Sequence, residues 1–106
     1  MQDLTKWTSE CKVYNLFDVL GKKWTIFIIY LIENGYNSFN SILRILTKLN
    51  PKVLSERLTQ LSDSGIVKFD IDKKNGRTTY ILTEKGKLIS LQIGKISDIA
   101  YNENIK

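Results

Sequence analysis

Apolar positions along the chain fall into five blocks with helical spacing and two with strand spacing. From Lys12 to Leu20, Val13, Leu16, Phe17 and Leu20 recur three and four residues apart, and Gly21 interrupts the run. A second helix is predicted from about Lys23 to Glu33, with Trp24, Phe27, Ile28 and Leu31 on one face. Ile29 and Ile32 spread the apolar surface, so this helix is expected to be buried on most sides. Asn34-Gly35 stops it. Asn37 or Ser38 caps a third helix, Phe39 to Lys48, with Phe39, Ile42, Leu43 and Leu46 facing inward.

The turn Leu49-Asn50 leads straight into a fourth helix that carries its own boundary marks. The Asn50 side chain can accept from the first free N–H groups, and Pro51 suits the first helical position, where a missing N–H costs nothing. Gly65 supplies the left-handed residue that ends it. Leu54, Leu58 and Leu61 form one apolar stripe, while Lys52, Ser55, Glu56 and Thr59 share another side and are all polar. Two short helices joined by a tight turn, the second with a polar face, make a helix-turn-helix whose second helix, about 51–64, suits a DNA major groove.

After Gly65 the period becomes two. Ile66, Val67, Phe69 and Ile71 mix with Lys68, Asp70 and Asp72, as in a half-buried strand. Lys73-Lys74-Asn75-Gly76 follows, and Asn-Gly predicts a hairpin because both residues tolerate positive φ. Arg77 to Leu82 is the returning strand. Thr83 caps a last helix running to about Tyr101, where Leu88, Ile89, Leu91, Ile93, Ile96, Ile99 and Ala100 make a face wider than a small core uses. The predicted fold is α+β, mainly helical: a winged helix-turn-helix with a two-stranded wing and a C-terminal dimerisation helix. Residues 1–106 are expected to form a single domain, with a DNA-binding core at about 12–83 and dimerisation helices at about 4–20 and 84–101.

Charge sharpens this picture. Sixteen basic against eleven acidic residues leave a net charge of +5. From Lys73 to Lys87 there are five basic residues and one acidic, Glu84, so the surplus is local and suits a phosphate backbone. The chain has no histidine and one cysteine, Cys11, which rules out His-based triads, histidine–zinc sites and an internal disulfide. With no Gly-rich phosphate loop and no paired carboxylates, an enzyme is not expected, nor a cofactor or metal. Every apolar run falls short of the roughly 20 residues that span a membrane, and the start lacks a signal-peptide pattern, so a cytoplasmic protein is expected.

The expected partner is double-stranded DNA. Lys52, Ser55, Glu56 and Thr59 are the base-edge candidates: Lys reaches guanine O6 or N7, Glu accepts from cytosine N4, and hydroxyls are promiscuous. Lys73, Lys74 and Arg77 on the wing, with Ser38 and Asn40 at the start of the third helix, are the backbone candidates. Arg57, between the two faces of its helix, suits a phosphate contact or a structural ion pair. Val13, Leu16, Phe17, Leu88, Ile89, Ile96 and Ile99 are the candidate homodimer contact. Two alternatives stay open: a winged helix used only for protein contacts, and a small-ligand sensor with a pocket lined by Trp7, Trp24 or Tyr14, its ligand unknown.

Several blocks also resemble one family. Gly21-Lys22-Lys23-Trp24-Thr25 is similar to the Gly-Gly-Lys-Trp-Thr block of the HxlR-type regulators, a branch of the MarR-like winged-helix proteins. Ser38-Phe39-Asn40-Ser41-Ile42 resembles the family's Arg-Phe-Asn-Glu-Leu segment, and residues 52–58 through Gly65-Ile66-Val67 its recognition helix and strand start. Tyr80-Ile81-Leu82-Thr83-Glu84-Lys85-Gly86 matches the Tyr-x-Leu-Thr-x-x-Gly exit from the wing. The likeness spans roughly residues 11–90. It departs where Lys12 follows Cys11 in place of the family's usual proline, and in a shorter wing lacking a Pro-Pro segment. The resemblance implies a dimeric, DNA-binding transcriptional regulator, and makes Cys11 the candidate for sensing oxidants or electrophiles.

Overall fold

The computed structural model describes residues 11–102. Its elements run α1 (Lys12–Leu20), α2 (Thr25–Glu33), α3 (Phe39–Ile45), α4 (Pro51–Asp63), β1 (Val67–Ile71), β2 (Thr78–Leu82) and α5 (Glu84–Ala100). This is the winged helix-turn-helix that the pattern predicts. The core gathers Ile28, Ile29 and Ile32 of α2, Ile42 of α3, Leu49, the three α4 leucines, and Ile66, Val67 and Leu82 at the root of the hairpin. Truncating any one of Leu54, Leu58 or Leu61 to alanine is expected to cost about 2–5 kcal/mol.

α4 forms as its boundary residues dictate. Asn50 Oδ1 accepts from the Val53 N–H at 2.8 Å, Pro51 occupies the first turn, and Gly65 turns the chain at φ 71°. The predicted residue 64 lies just outside, as the C-cap. α3 is closed by a reciprocal box in which Ser38 Oγ accepts from Ser41 N–H and Ser41 Oγ accepts from Ser38 N–H, both at 3.1 Å. It ends at Ile45, three residues before the predicted Lys48. Leu46 leaves helical geometry there so that Leu49 reaches the core.

α2 differs from its prediction in two ways. It begins at Thr25 because Trp24 sits in the left-handed region at φ 79°, a backbone state that costs a bulky residue of order 1–3 kcal/mol. Packing of the Trp24 side chain against the core helps to hold it. The helix is also not buried on most sides. Thr25, Ile28, Ile29 and Ile32 are buried, but Phe27 is 59% exposed and Ile26 and Tyr30 face outward with it. High apolar content marks the segment as internal, yet α5 covers only part of its circumference.

The hairpin is antiparallel, with Val67 opposite Leu82, Phe69 opposite Tyr80 and Ile71 opposite Thr78. The expected half-burial of β1 holds only at Val67, because the strand projects past the core and leaves Phe69 55% exposed. Its tip is a longer loop than the two-residue Asn-Gly turn. Asp72 Oδ1 accepts from Lys74 N–H at 2.8 Å, Asp72 C=O from Gly76 N–H at 2.7 Å, and Asn75 Oδ1 from Arg77 N–H at 2.9 Å. Gly76 takes φ 70° while Asn75 does not adopt positive φ, so the asparagine works through its side chain.

At the hairpin's exit Thr83 does two jobs. Its Oγ1 accepts from Gly86 N–H at 3.1 Å, capping α5, and donates to the Gly65 carbonyl at 2.6 Å. Gly86 lies buried against the Ile66 carbonyl, so closely that any β-carbon would collide with it. The threonine and glycine of the Tyr-x-Leu-Thr-x-x-Gly stretch therefore fasten α5 to the end of α4.

Candidate nucleic-acid interface

The α4 stripe of Leu54, Leu58 and Leu61 is turned into the core, and this forces the opposite side outward. Lys52, Ser55, Glu56 and Thr59 are all exposed. The Thr59 hydroxyl donates to the Ser55 carbonyl at 3.0 Å, one turn back along its own helix. Its proton is committed there, so toward a ligand Thr59 is left as an acceptor.

One flank of this helix faces the wing. Ser55, Thr59, Ser62 and Asp63 share a cavity of about 370 Å³ with Phe69, Thr78 and Tyr80 of the hairpin. The wing is pinned beside the helix-turn-helix because Tyr80 N–H donates to the Asn37 carbonyl at 2.8 Å. Burial raises the Tyr80 hydroxyl above its ordinary pKa of 10.0.

That bond also creates a polar cleft between α3 and the wing. Ser38, Asn40 and Arg77, predicted separately, line it together with Phe39, Thr78 and Tyr80. Arg44 lines it too and was not singled out from sequence, although it stands four residues after Asn40 and so on the same helical face. Two guanidinium groups thus share one cleft with a short polar pair, an arrangement suited to phosphate oxygens. Ser38 Oγ accepts from Ser41 N–H as the α3 cap, which leaves its hydroxyl proton to donate into the cleft. Lys73 and Lys74 stand exposed on the wing loop.

Arg57 lies on the other flank. Its Nε donates to the Lys23 carbonyl at 2.9 Å, so a structural role is visible, through a backbone oxygen and not the ion pair considered above. This bond ties the α1–α2 turn to α4.

The remaining candidates are spread over the far side. Cys11 is half-buried at the N-cap of α1. Val13 and Leu16 are half-buried, and Leu16 and Ile89 pack against the core. Phe17 is exposed, and Leu88, Ile96 and Ile99 are 65, 66 and 50% exposed. An apolar cavity of about 260 Å³ between α2 and α5 is lined by Ile26, Phe27, Tyr30, Ile93, Ile96 and Ser97. Its walls are not the aromatics expected for a ligand pocket. Trp24 packs on the core and Tyr14 is exposed on α1, while Trp7 and the predicted dimer residues before Cys11 lie outside the described residues.

Among the described residues no group of three or more His, Cys, Asp or Glu side chains is placed to hold a metal. No helix among them is long and apolar enough to cross a membrane.

Comparison with known proteins places this geometry. The model of the HxlR-like helix-turn-helix family matches residues 19–104. YvaP of Bacillus subtilis, an uncharacterised HTH-type transcriptional regulator, is 40% identical over 81 residues, covering 76% of this chain and 75% of YvaP. MJ0925 of Methanocaldococcus jannaschii, described in the same terms, is 40% identical over 77 residues, 69% of this chain and 67% of its own. Among solved structures, the reduced form of the transcriptional regulator YodB from B. subtilis superposes with a TM-score of 0.74 at 28% identity, over 85% of this chain and 90% of YodB. YodB has also been solved diamide-treated and quinone-bound. With four helices ahead of a hairpin and one behind it among the described residues, and the family match running through all but the first of them, the chain belongs to the HxlR-like helix-turn-helix family of transcriptional regulators.

Proposed function

We propose that the protein acts as a homodimer that binds double-stranded DNA sequence-specifically and regulates transcription, with α4 in the major groove and the wing loop 73–77 on the adjacent backbone or minor groove. The observation that carries this reading is the division of α4. Its leucines are buried while Lys52, Ser55, Glu56 and Thr59 are exposed, so the helix offers its polar side to a partner. Those four residues read base edges, Thr59 as an acceptor from adenine N6 or cytosine N4. Lys73, Lys74 and the cleft of Ser38, Asn40, Arg44 and Arg77 hold phosphates and set the register. Arg57 contributes by holding the helix in place and not mainly as a phosphate ligand.

Residues 12–83 form the DNA-binding core in this scheme, and α5 with α1 pairs the subunits through the exposed Phe17, Leu88, Ile96 and Ile99. Half-buried Val13 completes that contact, while Leu16 and Ile89 back it from the core. Cys11 is the redox-responsive group, supported by its place at the start of α1 and by the reduced and diamide-treated structures of YodB. With one cysteine per chain, any disulfide to this protein is intermolecular. Such a regulator works in the compartment that holds its DNA, the cytoplasm in the organisms of the named relatives.

Selection of bound duplexes from a random pool, followed by affinity titration against salt, tests the reading. The expected product is a pseudo-palindrome with half-sites about one helical turn apart, bound with an affinity that falls linearly on a log–log salt plot. Binding that ignores both sequence and salt would return the protein to the interaction-module class.

A further inference from the structure

A helix lying in the major groove has a phosphate strand on each side of it. The wing, with the Arg44–Arg77 cleft, serves one flank of α4, the flank of Ser55, Thr59 and Ser62. The opposite flank carries Val53, Arg57 and Gln60, each offset to the other side of the leucine stripe. We infer that the α1–α2 turn, Gly21-Lys22-Lys23-Trp24, is a second phosphate contact that grips the groove wall opposite the wing. This rests on the DNA reading above and adds a cationic element outside both the helix-turn-helix and the wing.

Three observations support it. The Arg57 Nε bond to the Lys23 carbonyl, at 2.9 Å and across 34 residues of sequence, brings this turn against the flank that the wing leaves open. Gly21, Lys22 and Lys23 are all exposed, and residues 21–25 include no carboxylate. The two ammonium groups are engaged weakly. Lys22 Nζ is 3.7 Å from Asp18 on an exposed surface, and Lys23 Nζ stands 5.3 Å over the Trp24 ring. Exposed pairs of both kinds exchange readily for a phosphate oxygen. Trp24, held at φ 79°, makes the sharp bend that lets this turn double back beside α4.

The test compares the protein, its Lys22→Gln/Lys23→Gln variant and its Lys73→Gln/Lys74→Gln/Arg77→Gln variant on one selected operator. Thermal unfolding of each checks that it is folded, and the single Lys22→Gln variant provides a milder change. The expected result is a salt slope shallower by about two units per half-site for the turn variant, with the ranking of base substitutions unchanged. Phosphate-ethylation interference should lose a set of phosphates distinct from those lost by the wing variant, and combining the two variants should add their effects. An unchanged slope, or loss of the wing's own phosphates, overturns the turn contact while the DNA reading stands. If the wild-type protein binds no duplex in a salt-dependent way, both fall together.

Discussion

Arg57 Nε donates to the backbone carbonyl of Lys23 at 2.9 Å, joining the middle of α4 to the turn that precedes α2. The two residues are 34 positions apart, so the bond links elements that local sequence does not join. Arg57→Ala is expected to lower stability by about 1 kcal/mol, the net worth of such a hydrogen bond. Arg57→Lys should not restore it, because an ammonium cannot reproduce the Nε direction. Chemical denaturation of the two variants beside the wild type measures both effects, and a lysine variant as stable as the parent would count against the directional bond.

Gly86 should be the least replaceable glycine in the chain. Its α-carbon faces the Ile66 carbonyl so closely that Gly86→Ala must push α5 away from the root of the wing. A loss of about 3 kcal/mol is expected, the upper range for forcing extra volume into a packed site. Thr83→Val, which keeps the shape but removes the cap and the Gly65 bond, should cost about 1 kcal/mol. Thermal unfolding that ranked the threonine above the glycine would reverse this account of the junction.

Tyr80 is expected to make stability fall at alkaline pH. Burial favours its neutral hydroxyl in the folded chain and raises its pKa above 10.0. In the unfolded chain the phenol loses its proton at its ordinary value, so this contribution is intact below pH 10 and is lost as pH rises beyond it. Stability measured across pH 9 to 11 should therefore fall less steeply in Tyr80→Phe than in the parent, and equal slopes would exclude the residue as a cause.

The outer face of α5 should govern assembly without governing the fold. Leu88 and Ile96 are about two-thirds exposed in the single chain, so Leu88→Lys/Ile96→Lys should leave the stability of its fold within about 0.5 kcal/mol. If the proposed dimer forms through this face, sedimentation should show a dimeric parent and a monomeric double variant, and operator affinity should fall because the half-sites are no longer engaged together. A variant that stays dimeric moves the contact elsewhere.

What the sequence by itself determined is the local grammar. Asn50-Pro51 and Gly65 bound α4 because caps and left-handed stops depend on residues within a turn of one another. The leucine spacing separates the buried side of α4 from its polar side for the same reason. The hairpin at 67–82 was equally legible, although its loop type was not, since Asp72 and Asn75 side chains compete with the two-residue turn that Asn-Gly suggests.

Only the tertiary structure decided which apolar faces are covered and which distant polar groups meet. Periodicity marks a face as apolar without saying whether another element covers it, so Phe27 and Phe69 read as internal and stand exposed. Arg44 enters the cleft with Arg77 because Tyr80 N–H reaches Asn37. Arg57 meets Lys23, and Trp24 is held left-handed, through packing between segments far apart in the chain. Those contacts depend on how rigid elements stack in three dimensions, and spacing along one dimension does not encode that.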